Sequence, residues 1–185
     1  MIYASSLRPG ANVLVNGQVY NVVHYQHHKP GKGSAVVRLR LRNVATSQVI
    51  DRTVDPEDKF EEAVLLSKPY QYLYHDENNC YFMDTDTYEQ ISILSKTISN
   101  IQPFLKDGAT VTIIYEHDKI IAVELPEFVE LKVIYTEHGI RGDRVSAALK
   151  SATLETNVQI KVPLFVEIGD TILVDTRTGE YSRRV

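Results

Sequence analysis

Apolar and polar residues alternate with a period of two over most of the chain, as expected of strands that bury one face. Residues 13–15 and 18–25 alternate on either side of Asn16-Gly17, a pair that accepts the positive φ angles of a type I′ turn, so the two runs predict a hairpin. Further strands are expected over 36–41 and 49–54. So few strands leave exposed edges unless they close, which predicts a small SH3-like barrel. Asp55-Pro56-Glu57-Asp58 breaks the alternation and puts a boundary between itself and Pro69.

A second β-rich run follows. Tyr70, Tyr72 and Tyr74 alternate along one strand, Asp76-Glu77-Asn78-Asn79 turns, and residues 81–83 return. Ile98, Ile101 and Leu105 stand at helical spacing, but Pro103 keeps any helix there short. With strands expected at 110–115 and 120–124, the unit reads as an OB-like barrel. Leu125-Pro126 marks the next junction. Beyond it, 128–135, 158–162, 171–175 and 180–184 read as strands, Thr178-Gly179 as a tight turn, and 137–153 as a long irregular segment. Periodicity alone therefore gives an all-β chain of several barrel-like units.

Composition narrows the function classes. With 185 residues, 43% of them hydrophobic, the chain can bury a sizeable core in one to three small domains. No apolar run approaches the roughly 20 residues of a membrane helix. The first residues also lack a basic segment leading into an apolar one, so a cytoplasmic protein without membrane contact is expected. Cys80 is the single cysteine, which excludes an intramolecular disulfide and a Cys-rich zinc site; in a strand it is expected to be a buried, inert thiol. His27 and His28 point apart on extended backbone and have no acidic or thiol partner at ligand spacing, so no metal is expected. No nucleophile elbow is present, and the carboxylates are scattered over strand edges and turns. An enzyme with its own catalytic groups or a cofactor is not expected. Arg141-Gly142-Asp143 matches an integrin-binding tripeptide but reads as a chance occurrence in a chain without secretory features.

Charge changes the picture. Residues 1–54 carry seven cations, Arg8, Lys29, Lys32, Arg38, Arg40, Arg42 and Arg52, against Asp51 alone, a net of +6; with −4 for the whole chain, the remainder carries −10. The first part is thus suited to face an anion. Arg38, Arg40 and Arg42 share one face of the 36–41 strand and its extension, while Val37, Leu39 and Leu41 point the other way. Such a row also lines the wet side of many half-buried sheets. Just before it, Pro30-Gly31 suits a type II turn, and Lys32 sits between Gly31 and Gly33, which offer it neither cover nor a partner. An exposed ammonium at a hairpin tip is expected. A P-loop fails on spacing, because Gln26 holds the first glycine's place, Gly33 separates Lys32 from Ser34, and a strand follows.

Lys29-Pro30-Gly31-Lys32-Gly33 followed by an Arg-rich strand ending Leu41-Arg42-Asn43 resembles the bacterial translation elongation factor P family. Tyr81-Phe82-Met83-Asp84 with Tyr88-Glu89-Gln90, then Pro126 with Phe128-Val129-Glu130-Leu131, are similar to the same family. So is the closing run from Val162-Pro163-Leu164-Phe165-Val166 through Ile168-Gly169 to Val174-Asp175-Thr176-Arg177-Thr178-Gly179-Glu180-Tyr181. The resemblance spans essentially the whole chain. The sequence departs from the family at Ser34, where many relatives have Gln, and at Lys150-Ser151-Ala152-Thr153, where Lys-Pro-Ala-Thr is usual.

The resemblance implies an SH3-like (KOW-like) barrel at 1–64 followed by OB-fold barrels at 65–126 and 127–185, in an elongated, tRNA-like monomer. It implies an elongation factor that enters the ribosome between the peptidyl and exit sites, beside peptidyl-tRNA, and relieves stalling at consecutive prolines. Lys32 matches the family's modified position, extended by a β-lysyl group or an aminopentanol by a lysine-modifying enzyme, and Lys29, Pro30, Gly31, Lys32 and Gly33 would form the loop that meets the CCA end. Arg38, Arg40 and Arg42 are the candidates for backbone contacts to tRNA or ribosomal RNA, since guanidiniums grip phosphate in paired hydrogen bonds. Arg183 and Arg184, with Tyr181, are candidates for a second RNA contact, at the tRNA elbow or the small subunit; ribosomal proteins are implied partners as well. Two alternatives stand beside this: the elongation factor P-like paralogue, which lacks the Lys-Pro-Gly-Lys-Gly loop, and a general single-stranded RNA-binding protein that would stack bases on Tyr70, Tyr72, Tyr74 and Tyr81.

Overall fold

The computed structural model describes residues 1–29, 34–137 and 149–185. The secondary structure of those residues is strands and short 3-10 turns, without an α-helix. Six strands, β1 (Ile2–Tyr3), β2 (Asn12–Val15), β3 (Gln18–His28), β4 (Val36–Asn43), β5 (Val49–Val54) and β6 (Lys59–Glu62), form the first sheet in the order β1-β6-β2-β3-β4-β5. A second sheet orders β7 (Leu65–His75), β8 (Asn79–Asp84), β9 (Gln90–Leu94), β10 (Thr110–Glu116) and β11 (Lys119–Glu124) as β11-β10-β7-β8-β9. The third, β14-β13-β12-β15-β16, contains β12 (Phe128–Thr136), β13 (Leu149–Leu154), β14 (Gln159–Pro163), β15 (Thr171–Asp175) and β16 (Glu180–Arg184). By packing, the chain divides into two compact units, Met1–Ser67 with Ile113–Val123, and Lys68–Thr112 with Glu124–Val185.

In the first unit the hairpin forms as its turn residues require, with Asn16 at φ 52° and Gly17 at φ 75° between paired β2 and β3. The β4 alternation is also realised: Val37, Leu39 and Leu41 are buried in a core with Ala4, Leu7, Val13, Val22 and Phe60, while Arg38, Arg40 and Arg42 are exposed. Asn43 ends the strand because its side-chain Oδ1 accepts the N–H groups of Ala45 and Thr46, both at 2.9 Å, which bends the chain toward β5. The break at 55–58 has a similar cause. Asp55 accepts the Glu57 N–H and Asp58 accepts the Asp55 N–H, so two carboxylates occupy backbone donors that a strand would use. Periodicity did not predict β1 and β6. They are too short to show it: β6 buries only Phe60, which pairs with Ile2.

In the second unit Leu131, Val133, Leu154, Val162, Ile172 and Val174 form a fully buried core, with Phe104 packed among them. The expected short helix becomes two 3-10 turns, Ser95–Ile98 and Gln102–Phe104, which still bury Ile98, Ile101 and Leu105. Two expectations are corrected. Residues 149–153, expected to be irregular, belong with Leu154 to the inner strand β13: Lys150, Ala152 and Leu154 point inward, and a lysine and an alanine at buried positions hide the alternation. The Lys150 ammonium donates to the Glu137 carbonyl at 3.0 Å, a partner that offsets part of the cost of its burial. The tyrosine series is split by a bulge between Tyr72 and Tyr74. Tyr70 and Tyr72 are buried, whereas Tyr74 is exposed and stacks on Tyr81 at 4.7 Å. β9 was not predicted either. Cys80 is fully buried, and burial pushes its thiol pKa up, consistent with an inert thiol.

Opposite faces of β4 should respond differently to truncation. Leu41→Ala is expected to lower the unfolding free energy by about 2–5 kcal/mol, and Arg42→Ala to change it by no more than about 0.5 kcal/mol. Denaturant unfolding of the full chain checks both; equal losses would contradict the face assignment.

Candidate nucleic-acid interface

The arginine row is built by register. β3 and β4 pair His24 with Arg40, Gln26 with Arg38 and Asn21 with Arg42, and the bulge between Val22 and His24 absorbs one extra residue. Because of that bulge, Val22 faces the core opposite Leu41 while His24 faces water opposite Arg40. On the other side of β4, Arg38, Arg40 and Arg42 face Thr53, Asp51 and Val49 of β5. All three arginines are exposed, in the middle strand of this outer face.

Their surroundings differ. Arg40 donates from Nε to Asp51 Oδ1 at 2.9 Å and from Nη2 to Asp51 Oδ2 at 3.4 Å. The hydrogen bond from Arg40 holds the Asp51 carboxyl below the usual carboxylate range, helped by the charges of Arg40 and His24 and opposed by partial desolvation. With the folded value depressed, the stabilisation from the pair is present above the unfolded carboxyl pKa and is lost as pH falls through the folded one. No ion pair joins Arg38 or Arg42 to a carboxylate among the described residues. Arg8 is occupied elsewhere: it donates to the carbonyls of Leu7 and Ser5 and lies 5.4 Å from the Tyr25 ring centroid. Arg52 is half-buried on the inner side of β5.

The β3–β4 ladder runs out to His28 opposite Val36, and exposed Lys29 follows it. Lys29 shares a shallow cleft of about 490 Å³ with His27, Ser34, Asp55 and Glu57. Pro30, Gly31, Lys32 and Gly33 lie outside the described residues, as does Arg141-Gly142-Asp143. The second candidate set is less available. Arg184 donates to Asp170 at 3.4 Å and lies 5.8 Å from the Phe165 ring centroid, and Tyr181 packs on the unit's own core. Arg183 is exposed on β16. Arg38 and Arg42 are thus exposed on β4 without a carboxylate partner among the described residues, Lys29 lies beyond the end of the ladder nearer Arg38, and Arg40 is tied to Asp51. By composition Asp51 is only the lone acid among the first 54 residues. Pairing β4 with β5 across the turn after Asn43 is the signal that finds its partner.

The family models described as "Elongation factor P (EF-P) KOW-like domain", "Elongation factor P (EF-P) OB domain" and "Elongation factor P, C-terminal" match residues 3–60, 65–123 and 129–184. Elongation factor P of Caldanaerobacter subterraneus subsp. tengcongensis is 48% identical over 185 residues, covering 100% of both chains. Elongation factor P of Clostridium acetobutylicum is 49% identical over the same span, again covering 100% of both. A solved translation initiation factor eif-5a family protein from Naegleria fowleri aligns with a TM-score of 0.50 at 14% identity, over 67% of this chain and 96% of its own; that likeness concerns the fold alone.

The Asp51 carboxyl should titrate below an ordinary aspartate in the native protein and return to the ordinary range in Arg40→Ala. Side-chain carbon chemical shifts followed against pH check this, and an unchanged midpoint in the variant would refute the pairing.

Proposed function

Because the chain belongs to the elongation factor P family of translation elongation factors, we propose that it acts on the ribosome beside peptidyl-tRNA and speeds peptide-bond formation where consecutive prolines stall it. The observation that carries this reading is the exposed cationic row on β4, in a β3–β4 ladder that runs out toward exposed Lys29, which Pro30-Gly31-Lys32-Gly33 follow in the sequence. A three-domain division at 1–64, 65–126 and 127–185 accompanies it, as does a cytoplasmic site of action. The ribosome supplies the reaction, so the factor's task is orientation. Proline is conformationally stiff, and a loop that steadies the CCA end of its tRNA restricts the reacting groups to productive geometry, an effect that reaches several kcal/mol in model systems.

In this reading Lys32 is the residue that enters the peptidyl-transferase region, lengthened by a lysine-modifying enzyme, and Arg38 and Arg42 with Lys29 hold RNA backbone. Arg183 provides a second, weaker contact. The general single-stranded RNA-binding alternative loses support, because Tyr70 and Tyr72 are buried and only Tyr74 and Tyr81 remain near the surface. The paralogue is disfavoured by the presence of the Lys29-Pro30-Gly31-Lys32-Gly33 sequence.

Lys32→Ala is expected to unfold at the wild-type midpoint yet to leave translation of a polyproline reporter as slow as without the factor. A reporter that runs at wild-type speed with the variant would overturn the proposal. Peptide mass spectrometry on protein from its own host should find added mass on the peptide containing Lys32.

A further inference from the structure

We propose that Arg40 and Asp51 together form a charge-compensated plate for an RNA base, while phosphate contact on β4 falls to Arg38 and Arg42; this rests on the RNA-facing reading of the strand given above. The side edge of the Arg40 guanidinium, Nε and Nη2, is taken up by the two oxygens of Asp51. The pair is exposed on both sides, 56% and 70% for the two side chains, and exposed ion pairs contribute little to folding stability. Yet the only acid among the first 54 residues stands in the middle of the cationic row. On a surface built only to collect phosphates, that placement weakens binding, because the carboxylate repels the same oxygens that Arg40 would hold.

A base has no such conflict. Splayed RNA bases stack on guanidinium planes, and Asp51 fixes the plane of Arg40 beforehand, so less side-chain freedom is lost on contact. The Arg40 side chain is more than half exposed, no hydrogen bond engages its Nη1 among the described residues, and the carboxylate retains lone pairs able to accept from an exocyclic amine. Arg38 and Arg42 lie two residues to either side on the same face, each roughly 7 Å from Arg40 along the strand. Neither has a carboxylate partner among the described residues. A cation, a flat neutral pair and a second cation in line match a single RNA strand that offers phosphate, base and phosphate. Exposed His24, opposite Arg40 on β3, adds a second flat ring beside the plate.

The test measures binding of the full chain to ribosomes against salt concentration, on vacant ribosomes and on ribosomes holding tRNA in the peptidyl site. Each lost phosphate contact flattens the dependence of log K on log salt by about 0.7–0.9. Arg38→Ala and Arg42→Ala are each expected to flatten it by that amount. Removing both charges together, Arg40→Ala with Asp51→Ala, should weaken binding several-fold with the slope unchanged, Arg40→Lys should bind as weakly as that double variant, and Asp51→Asn should steepen the slope by releasing Arg40 as a free cation. The inference is overturned if the double variant flattens the slope as Arg38→Ala does, if it binds like wild type, or if Arg40→Lys binds like wild type. The RNA-facing reading itself fails if Arg38→Ala and Arg42→Ala change neither affinity nor slope. Effects seen on vacant ribosomes assign the strand to ribosomal RNA, and effects confined to the filled ones assign it to tRNA; either supports the plate. Thermal unfolding of each variant confirms that the fold is retained.

Discussion

The antiparallel ladder between β3 and β4 is the constraint on which the rest depends. It takes one strand with valine and leucine at alternate positions and fixes which side of it meets the core. Val37, Leu39 and Leu41 are almost completely buried, and once they are, Arg38, Arg40 and Arg42 have only one direction left. The core thus positions the cations without contacting them. A slip by one residue would turn three guanidiniums into an apolar interior, a cost that holds the register. The bulge between Val22 and His24 belongs to the same arrangement, because it keeps the face assignment in step along a long strand.

Charge in the first unit is distributed, not simply accumulated. Arg8 is spent on loop carbonyls and the Tyr25 ring, Arg52 is half-buried, and Arg40 is compensated by Asp51. A net charge of +6 read from composition therefore overstates what a ligand meets at this face. Steering depends on the summed field and is served by all seven cations; close contact depends on those whose donors are not already used.

The second unit shows the same economy of pattern with different failures. The bulge after Tyr72 ends the simple alternation of tyrosines, so Tyr70 and Tyr72 serve the interior while Tyr74 stacks on Tyr81 outside. β13 is an inner strand although its inward positions include Lys150, whose ammonium reaches a carbonyl. A polar residue is tolerated inside when it finds a hydrogen-bond partner, and such a residue conceals a strand from any reading based on hydrophobicity.

The amino-acid sequence by itself determined the all-β class, the Asn16-Gly17 hairpin, the opposite faces of β4 and the family, because each is written in local periodicity, turn chemistry or a contiguous motif. Only the tertiary structure decided that Asp51 lies against Arg40, that Arg184 and Tyr181 are engaged by their own unit, that residues 149–154 form an inner strand and that the tyrosine row divides. The reason is physical. Strand pairing across a turn, a one-residue bulge and the burial of a hydrogen-bonded lysine are relations between distant or irregularly spaced positions, and period two along one segment carries no information about them.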